Sequence, residues 1–512
     1  MKLLSVRNTI PIVCSLAFVL SVTIAPLYTN NQNSYFFHGL ARSNYGHLRE
    51  DFLFSTSDPF PLFSLIIQFT NTFSAEFLIY IFHAILLVIY FVSLTRFSNN
   101  INGFKTNRTY ELFISLTLIL THSASSGYIS TKLFNSNIPK ILYEGVAGQT
   151  LINPEFQPST FGILCISSIF LYTKNRTLLS LFLLSISSWI HPSYIPISLL
   201  ILMAYVIHIY SIKKCRINSL KIVLLGALLI GMPAVWHFWR LGSENIDTMK
   251  LAAEILVVHR IPHHAQIASW LGPSVILKIV ICITAIIITR KNTLGFLLSF
   301  LLLSGIGLTC IQYMTDNHRL ALLFPWRISV VIVPISFAVI IGYLIPVLIQ
   351  RLCTNFPKPV KYYPYLLFCM VISCAIVGLL YMFVRVEKTN DLPFHNALEF
   401  SKDYSRSGNL YMIPPNLMDF RLHTGNPVFV DDKTHPFRPK EIVQWYERKI
   451  TADNFYSATE KDCDFKRSVI SENHITHTLV QSDSQLIECD MGSIIYADND
   501  FTVIRHDEKM LH

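Results

Sequence analysis

The chain has 512 residues, of which 52% are hydrophobic and only 14% charged, with a mean hydropathy of +0.44. Soluble domains carry roughly 25% charged residues, so this composition excludes a wholly soluble protein. The net charge of +9 does not mark a nucleic-acid binder, because most of the excess Lys and Arg falls in short loops between apolar runs, where membrane topology puts it.

Taken in chain order, the apolar runs cover residues 10–27, 77–94, 110–120, 159–172, 178–190, 194–210, 222–236, 273–288, 294–310, 328–348 and 365–384. Several fall short of the roughly 20 residues a perpendicular span needs, so they are expected to extend into polar flanks buried by other helices. Residues 59–73 are also apolar and read as an interfacial or re-entrant helix. The first run follows a basic start but lacks a small-x-small cleavage site, and is read as an uncleaved helix. The expected fold is an α-helical polytopic membrane domain of about eleven spans over residues 1–385, followed by a small α/β domain over 386–512.

Alternate loops differ in charge. One set carries Lys2/Arg7, Arg96/Lys105/Arg108, Lys174/Arg176, Lys213/Lys214/Arg216/Lys221, Arg290/Lys291 and Arg351/Lys358/Lys361, with no Asp or Glu. The opposite set is longer, mixed in charge and rich in His and Pro. The Lys/Arg bias makes the first set cytoplasmic, the N-terminus internal and the C-terminal domain extracytoplasmic. The Asn-x-Thr sequons at Asn107 and Asn175 then fall inside and are silent. Eight of the ten cysteines lie in membrane segments or cytoplasmic loops. Cys463 and Cys489 lie in the outer domain, where a disulfide between them is expected.

In the tail, 409–413 and 427–430 read as strands, 416–423 and 439–450 as helices, and 477–481, 493–497 and 501–505 as three further β-runs. There is no glycine-rich phosphate loop, internal repeat or Walker motif, which argues against an ATP-driven pump.

Candidate functional residues concentrate in the outer loops. The first holds Arg42, His47, Arg49, the acidic pair Glu50–Asp51, and Asp58. The second holds Tyr143, Glu144 and a flexible Gly145–Gly148 run; later loops hold His259, Arg260, His263 and His264, then Arg319 and Arg327. A carboxylate can take a proton from an acceptor hydroxyl, and arginine can hold a phosphate bidentately. Each residue has a plainer reading too. Glu50–Asp51 can be a solvated loop face paired with Arg49. Arg319 and Arg327 can anchor a helix end at the headgroups. A zinc site at His259, His263 and His264 is disfavoured by Pro262 and the lack of nearby Cys.

One basic-flanked helix, a long outer loop with an acidic pair, about ten more helices and an outer soluble domain together resemble the type C (GT-C fold) glycosyltransferases: oligosaccharyl-, mannosyl- and arabinosyltransferases. A closer resemblance, to a family of bacterial polytopic membrane proteins, rests on HGLARSNYGHLREDF, TSDPFPLFS, GVAGQTLINPEFQPSTFG, RIPHHA, LFPWRISV and FRLHTGNPVFVDDKTHPF with QWYERK. It implies fold rather than activity. The type C resemblance implies transfer of a sugar from a polyprenyl-phosphate-linked donor to an envelope glycan or protein acceptor, on the outer face of the inner (plasma) membrane. It makes Asp51 and Glu50 the catalytic acids. Asp51 is favoured because Phe52 and Leu53 would press its carboxylate into the bundle while Glu50 pairs with Arg49 or Arg42. Arg42, His47, Arg260, His263, His264, Arg319 and Arg327 are then the substrate- or phosphate-binding candidates. No residue set is assigned to a metal, although a divalent ion stays open as cofactor. The alternatives are a transporter or flippase, or a non-catalytic assembly protein, for envelope glycans.

Overall fold

A computed structural model of the chain describes residues 6–101, 108–212, 216–241, 244–355, 363–390, 394–458, 462–484, 489 and 491–507. Lys2, Lys105, Asn107, Lys213, Lys214, Lys358 and Lys361 lie outside the described residues.

Among the described residues six helices are long and apolar enough to cross a bilayer: Phe77–Asn99, Tyr194–Ser211, Leu220–Arg240, Thr293–Thr315, His318–Arg351 and Pro364–Glu387. The helices Thr109–His122 and Ala124–Phe134, bent by 55°, make a seventh if they count as one span. Four further apolar helices, Ile10–Val22, Pro158–Thr173, Thr177–Ile190 and Pro273–Thr289, are shorter. By length and composition six or seven of the eleven expected runs qualify as spans, and the other four are present as shorter apolar helices. Local chemistry explains the shortening. Ser123 is extended (φ −69°, ψ 145°) and its side chain accepts from Ser126 N, so it starts a new helix instead of continuing the old one. Asn175, at φ 59°, breaks the chain between Pro158–Thr173 and Thr177–Ile190.

The apolar helices mark the chain as a membrane protein. Leu220–Arg240 is only 28% buried and Pro364–Glu387 only 22%. Their bare Leu224, Leu228 and Leu380 side chains need an apolar solvent.

The chain divides into two compact units. Unit 1 comprises Met1–Ile24, Tyr80–His237 and Ile261–Val384; unit 2 comprises Ala25–Ile79, Phe238–Arg260 and Arg385–His512. Unit 1 is helical. Its packing uses small residues where backbones meet: a Cβ on Gly342 would lie 2.3 Å from Ser98 O, and Ser98 Oγ donates to Ala338 O at 2.7 Å. Close approach with a hydroxyl bond across helices is how helices associate without a hydrophobic driving force between them.

Unit 2 is built on a four-stranded sheet: β1 (Tyr411–Met412), β2 (His477–Gln481), β3 (Ser493–Ala497) and β4 (Phe501–Arg505), in the order β1-β2-β4-β3. β1 and β2 are parallel and the other pairs antiparallel. The expected strand at 427–430 forms only an isolated parallel bridge, Tyr411 to Val428. The helix expected at 416–423 shortens to Phe420–Thr424, and the one at 439–450 lengthens to Pro439–Ser457. Helices His395–Asp403 and Cys463–Glu472 were not anticipated from sequence. Tyr411, Phe420, Val428, Leu479 and Val503 form the apolar core. Cys463 and Cys489 are disulfide-bonded, with their Cα atoms 5.4 Å apart.

The segment 25–79 is an integral part of unit 2. The helix read at 59–73 is present as Pro61–Thr72. Gly46 (φ 52°) meets Gly425 (φ 70°) so closely that a Cβ on Gly46 would lie 2.4 Å from Gly425 O. Only glycine fits such a left-handed crossing point. His47 N donates to the same carbonyl at 2.8 Å.

Candidate functional site

The acidic pair of the first loop lies in unit 2, and its surroundings revise its expected role. Asp51 caps a short 3-10 turn, its Oδ1 accepting from Leu53 N at 2.9 Å. Its Oδ2 accepts from Arg421 Nε at 2.8 Å and from Val428 N at 3.0 Å. Arg421 also donates to Asp431 Oδ2, and Asp431 Oδ1 accepts from Lys433 N and Thr434 N, each at 2.6 Å. All three side chains are at most 2% exposed. Burial works against the charge of Arg421, but Asp431 and Asp51 outweigh it and hold the guanidinium above its usual range. The donors to Asp51 are all groups of the protein itself, and its carboxylate is buried. Asp51 was expected to be pressed into the helical bundle; it is buried within unit 2, against Arg421.

Glu50 is likewise engaged. It is exposed, yet accepts from Ser407 Oγ at 2.7 Å and Gly408 N at 2.8 Å, with His47 Nδ1 at 3.6 Å. Burial is the largest single influence and raises its pKa, but the Gly408 and Ser407 donors together with His47 outweigh it and lower it. Arg49 turns away from Glu50 and donates to Ala41 O and Arg42 O. Glu50 and Asp51 thus tie 25–79 to the C-terminal segment.

A second carboxylate, Asp58, is equally buried but is paired differently. Asp58 accepts from Phe60 N at 2.8 Å, the self-bracing turn expected of Asp before Pro. Its other oxygen lies 2.9 Å from Arg42, whose side chain is 32% exposed and so reaches the surface. Arg240 lies within electrostatic range of Asp58, Arg42 and Arg438. Arg438 Nε donates to Arg240 O at 2.8 Å. Glu441 accepts from Ser57 N and Arg438 N, bracing the start of Pro439–Ser457 beside this loop. Burial pushes His38 down to about 4 against the pull of Asp58, with Arg42 and Arg240 adding to the fall. The result is a buried carboxylate, a neutral imidazole and three guanidinium groups, a set able to hold an anion and accept a proton.

Arg260 ends a π-helical turn, Ile255–Arg260, and donates to Lys433 O at 2.6 Å. Burial lowers its pKa and Asp431 raises it, with a net fall. His259 stacks on Tyr446, ring centroids 5.1 Å apart.

The other candidates belong to unit 1. His263 and His264 rings lie 4.1 Å apart, and His264 Nδ1 is 2.7 Å from Ala147 O. The Gly145–Gly148 turn read as flexible is pinned: Gly145 O accepts from Lys278 Nζ at 2.6 Å and Val146 N donates to Ser329 Oγ at 2.7 Å. Arg319 is exposed on the short helix His318–Leu322. Arg327 lies 5.3 Å over the Tyr194 ring. The candidates expected to converge in one place are therefore divided between two units. Among the described residues no cluster of three or more His, Cys, Asp or Glu is placed to hold a metal ion.

Sequence reasoning noted Asp58 but not Arg240 within its electrostatic range, nor Arg438 and Glu441 next to Arg240. The available signal was the Asp-Pro turn of TSDPF; nothing local pointed to arginines almost two and four hundred residues away.

A family model described as "Domain of unknown function (DUF6798)" matches residues 394–451, the stretch that carries Arg421, Asp431, Arg438 and Glu441. No curated protein matches the chain.

Proposed function

We propose that the protein is a membrane glycosyltransferase of the type C kind, which moves a sugar from a polyprenyl-phosphate-linked donor to an envelope acceptor. The basic-loop bias supports an inner-membrane setting with unit 2 on the outer face. The observation that carries the reading is Asp58 beside Arg42, with Arg240 and neutral His38 within electrostatic range of it. Asp58 takes the acceptor hydroxyl's proton, the role first given to Asp51, and Arg42 faces the donor phosphate. General-base assistance is typically worth about 100- to 10,000-fold in rate. The test is envelope glycan profiling in a deletion strain complemented with Asp58→Asn or Arg42→Gln. Both variants should reach wild-type protein levels and lose the glycan product. Full complementation by both overturns the assignment.

A transport reading is favoured by two observations. Lys278 is 6% exposed within the apolar helix Pro273–Thr289, and one helix pair is broken by 55°. Buried intramembrane charge and broken helices are marks of transporters. Accumulation of unused lipid-linked glycan on the cytoplasmic side in the deletion strain would favour it over transfer.

A further inference from the structure

Helix Pro61–Thr72 of unit 2 is apolar on two sides. Its inner face carries Phe63, Ser64, Ile67 and Thr70, all buried. That face closes on helix Phe37–Arg42 so tightly that a Cβ on Gly39 would lie 2.6 Å from Ser64 O. Its outer face carries Leu62, Leu65 and Phe69 at helical spacing, all exposed. Ser74 turns left-handed at φ 48° and Ala75 N donates to Thr70 O at 2.7 Å, which ends the helix. Phe73 continues the outer stripe, its ring centroid 4.8 Å from that of Phe69. Phe69 is 52% exposed and Phe73 66%.

Water is the wrong solvent for this stripe. A surface helix keeps its outer face polar, yet residues 59–75 carry no charged side chain, and Glu76, which follows, accepts from Tyr28. The rest of the unit differs: among the described residues of 394–507 the large exposed hydrophobics are Ile450, Phe465 and Ile494, on three separate elements. Single exposed residues are ordinary, whereas a contiguous apolar patch marks an interaction surface. The chain itself says what covers it. Phe77, four residues beyond Phe73, is 61% exposed and opens the apolar span Phe77–Asn99, so the stripe runs on into a surface that lipid covers. Where the chain re-enters unit 2 at the end of the span Leu220–Arg240, Phe238 and Trp239 are exposed too, and aromatic rings collect at the membrane–water boundary.

We propose that Leu62, Leu65, Phe69 and Phe73 dock on the bilayer surface at the headgroup–acyl boundary, so that unit 2 is held on the membrane by this face as well as by the spans. The sequence left an interfacial and a re-entrant placement open; a helix whose inner face is already packed on Phe37–Arg42 lies on the membrane and does not dip through it. With no basic residue on the helix, attachment comes from apolar burial and is indifferent to anionic lipid. The inference does not depend on the transfer reaction proposed above.

The experiment uses full-length protein in phosphatidylcholine nanodiscs, with a photoreactive benzophenone side chain placed at Phe69 or Phe73 and mass spectrometry of the irradiated protein. Both positions should gain the mass of phosphatidylcholine, as should Phe383, exposed on the span Pro364–Glu387. Glu447, exposed on helix Pro439–Ser457, should not. Adding phosphatidylglycerol should leave the total lipid yield unchanged. Phe69→Asp with Phe73→Asp should speed amide exchange across Pro61–Thr72 about ten-fold or more, as for loss of a buried Phe side chain, and Ile450→Asp should leave it unchanged. Lipid adducts at Phe383 but at neither Phe69 nor Phe73, equal yield at Glu447, adducts that require phosphatidylglycerol, or unchanged exchange in the double variant overturns the proposal. Protein–protein adducts from Phe69 in place of lipid also overturn it and assign the face to a second copy of the chain.

Discussion

The two units treat buried charge in opposite ways. In unit 2, Asp51, Arg421 and Asp431 are out of solvent and every carboxylate oxygen has a donor. In unit 1, Arg327 sits over the Tyr194 ring and within electrostatic range of His191, and Lys278 donates to Gly145 O with Glu144 within electrostatic range. A completed network is architecture: it fixes one chain segment on another and leaves nothing for a ligand. An incomplete one is where a ligand's charge belongs. The acidic pair of the first loop, the most conspicuous catalytic candidate in the sequence, ties chain segments together, and the equally buried Asp58 differs in its partner, Arg42, whose side chain reaches the surface.

The largest effect that would break the comparison lies at Arg421. Removing one partner from a buried ionic network leaves uncompensated charge and costs about 3–5 kcal/mol. Arg421→Leu should therefore lower the thermal unfolding temperature of the purified protein sharply and expose 394–451 to protease. Arg327→Leu in unit 1 should do neither, since no carboxylate is left behind there. Equal tolerance of both would erase the distinction.

Next comes the disulfide. Cys463 and Cys489 are 26 residues apart, and in the chain-entropy model a loop of that length is worth about 3 kcal/mol. Cys463→Ser with Cys489→Ser should weaken unit 2 by that order in the same melt.

The glycine crossing should cost somewhat less. Gly46→Ala forces a Cβ against Gly425 O in a left-handed conformation, a strain of roughly 1–3 kcal/mol. Gly272→Ala in unit 1 is the control, since it has open space at its Cβ and is expected to be silent.

The smallest effect is the pH slope. His38 is held at about 4 in the folded protein against an ordinary 6.5. Between those values the unfolded chain binds a proton that the folded one does not, so this stability is complete above 6.5 and is lost as pH falls towards 4. The slope from this one group is at most about 1.4 kcal/mol per pH unit. Protease resistance of unit 2 measured from pH 7.5 to 4.5 should fall over that window, and His38→Gln should flatten the fall.

What the sequence made legible follows the same division. Hydrophobic runs located the apolar helices, because burial in lipid needs only local composition. It could not give their lengths, because Ser123 ends one helix by capping the next, a matter of a single side chain. β2, β3 and β4 were readable from alternation and turn residues. The pairing of Asp51 with Arg421 was not, since it joins positions 370 residues apart and leaves no periodic trace. An acidic pair in a loop reads alike whether it faces a substrate or an arginine.

The most direct test sets Asp51→Asn against Asp58→Asn in one strain, scoring membrane protein level and glycan product together. The expected result is that Asp51→Asn lowers the amount of folded protein, with product falling only in proportion, while Asp58→Asn leaves the amount unchanged and removes the product. Wild-type levels of Asp51→Asn protein without product, beside normal product from Asp58→Asn, would contradict it and return the catalytic role to Asp51.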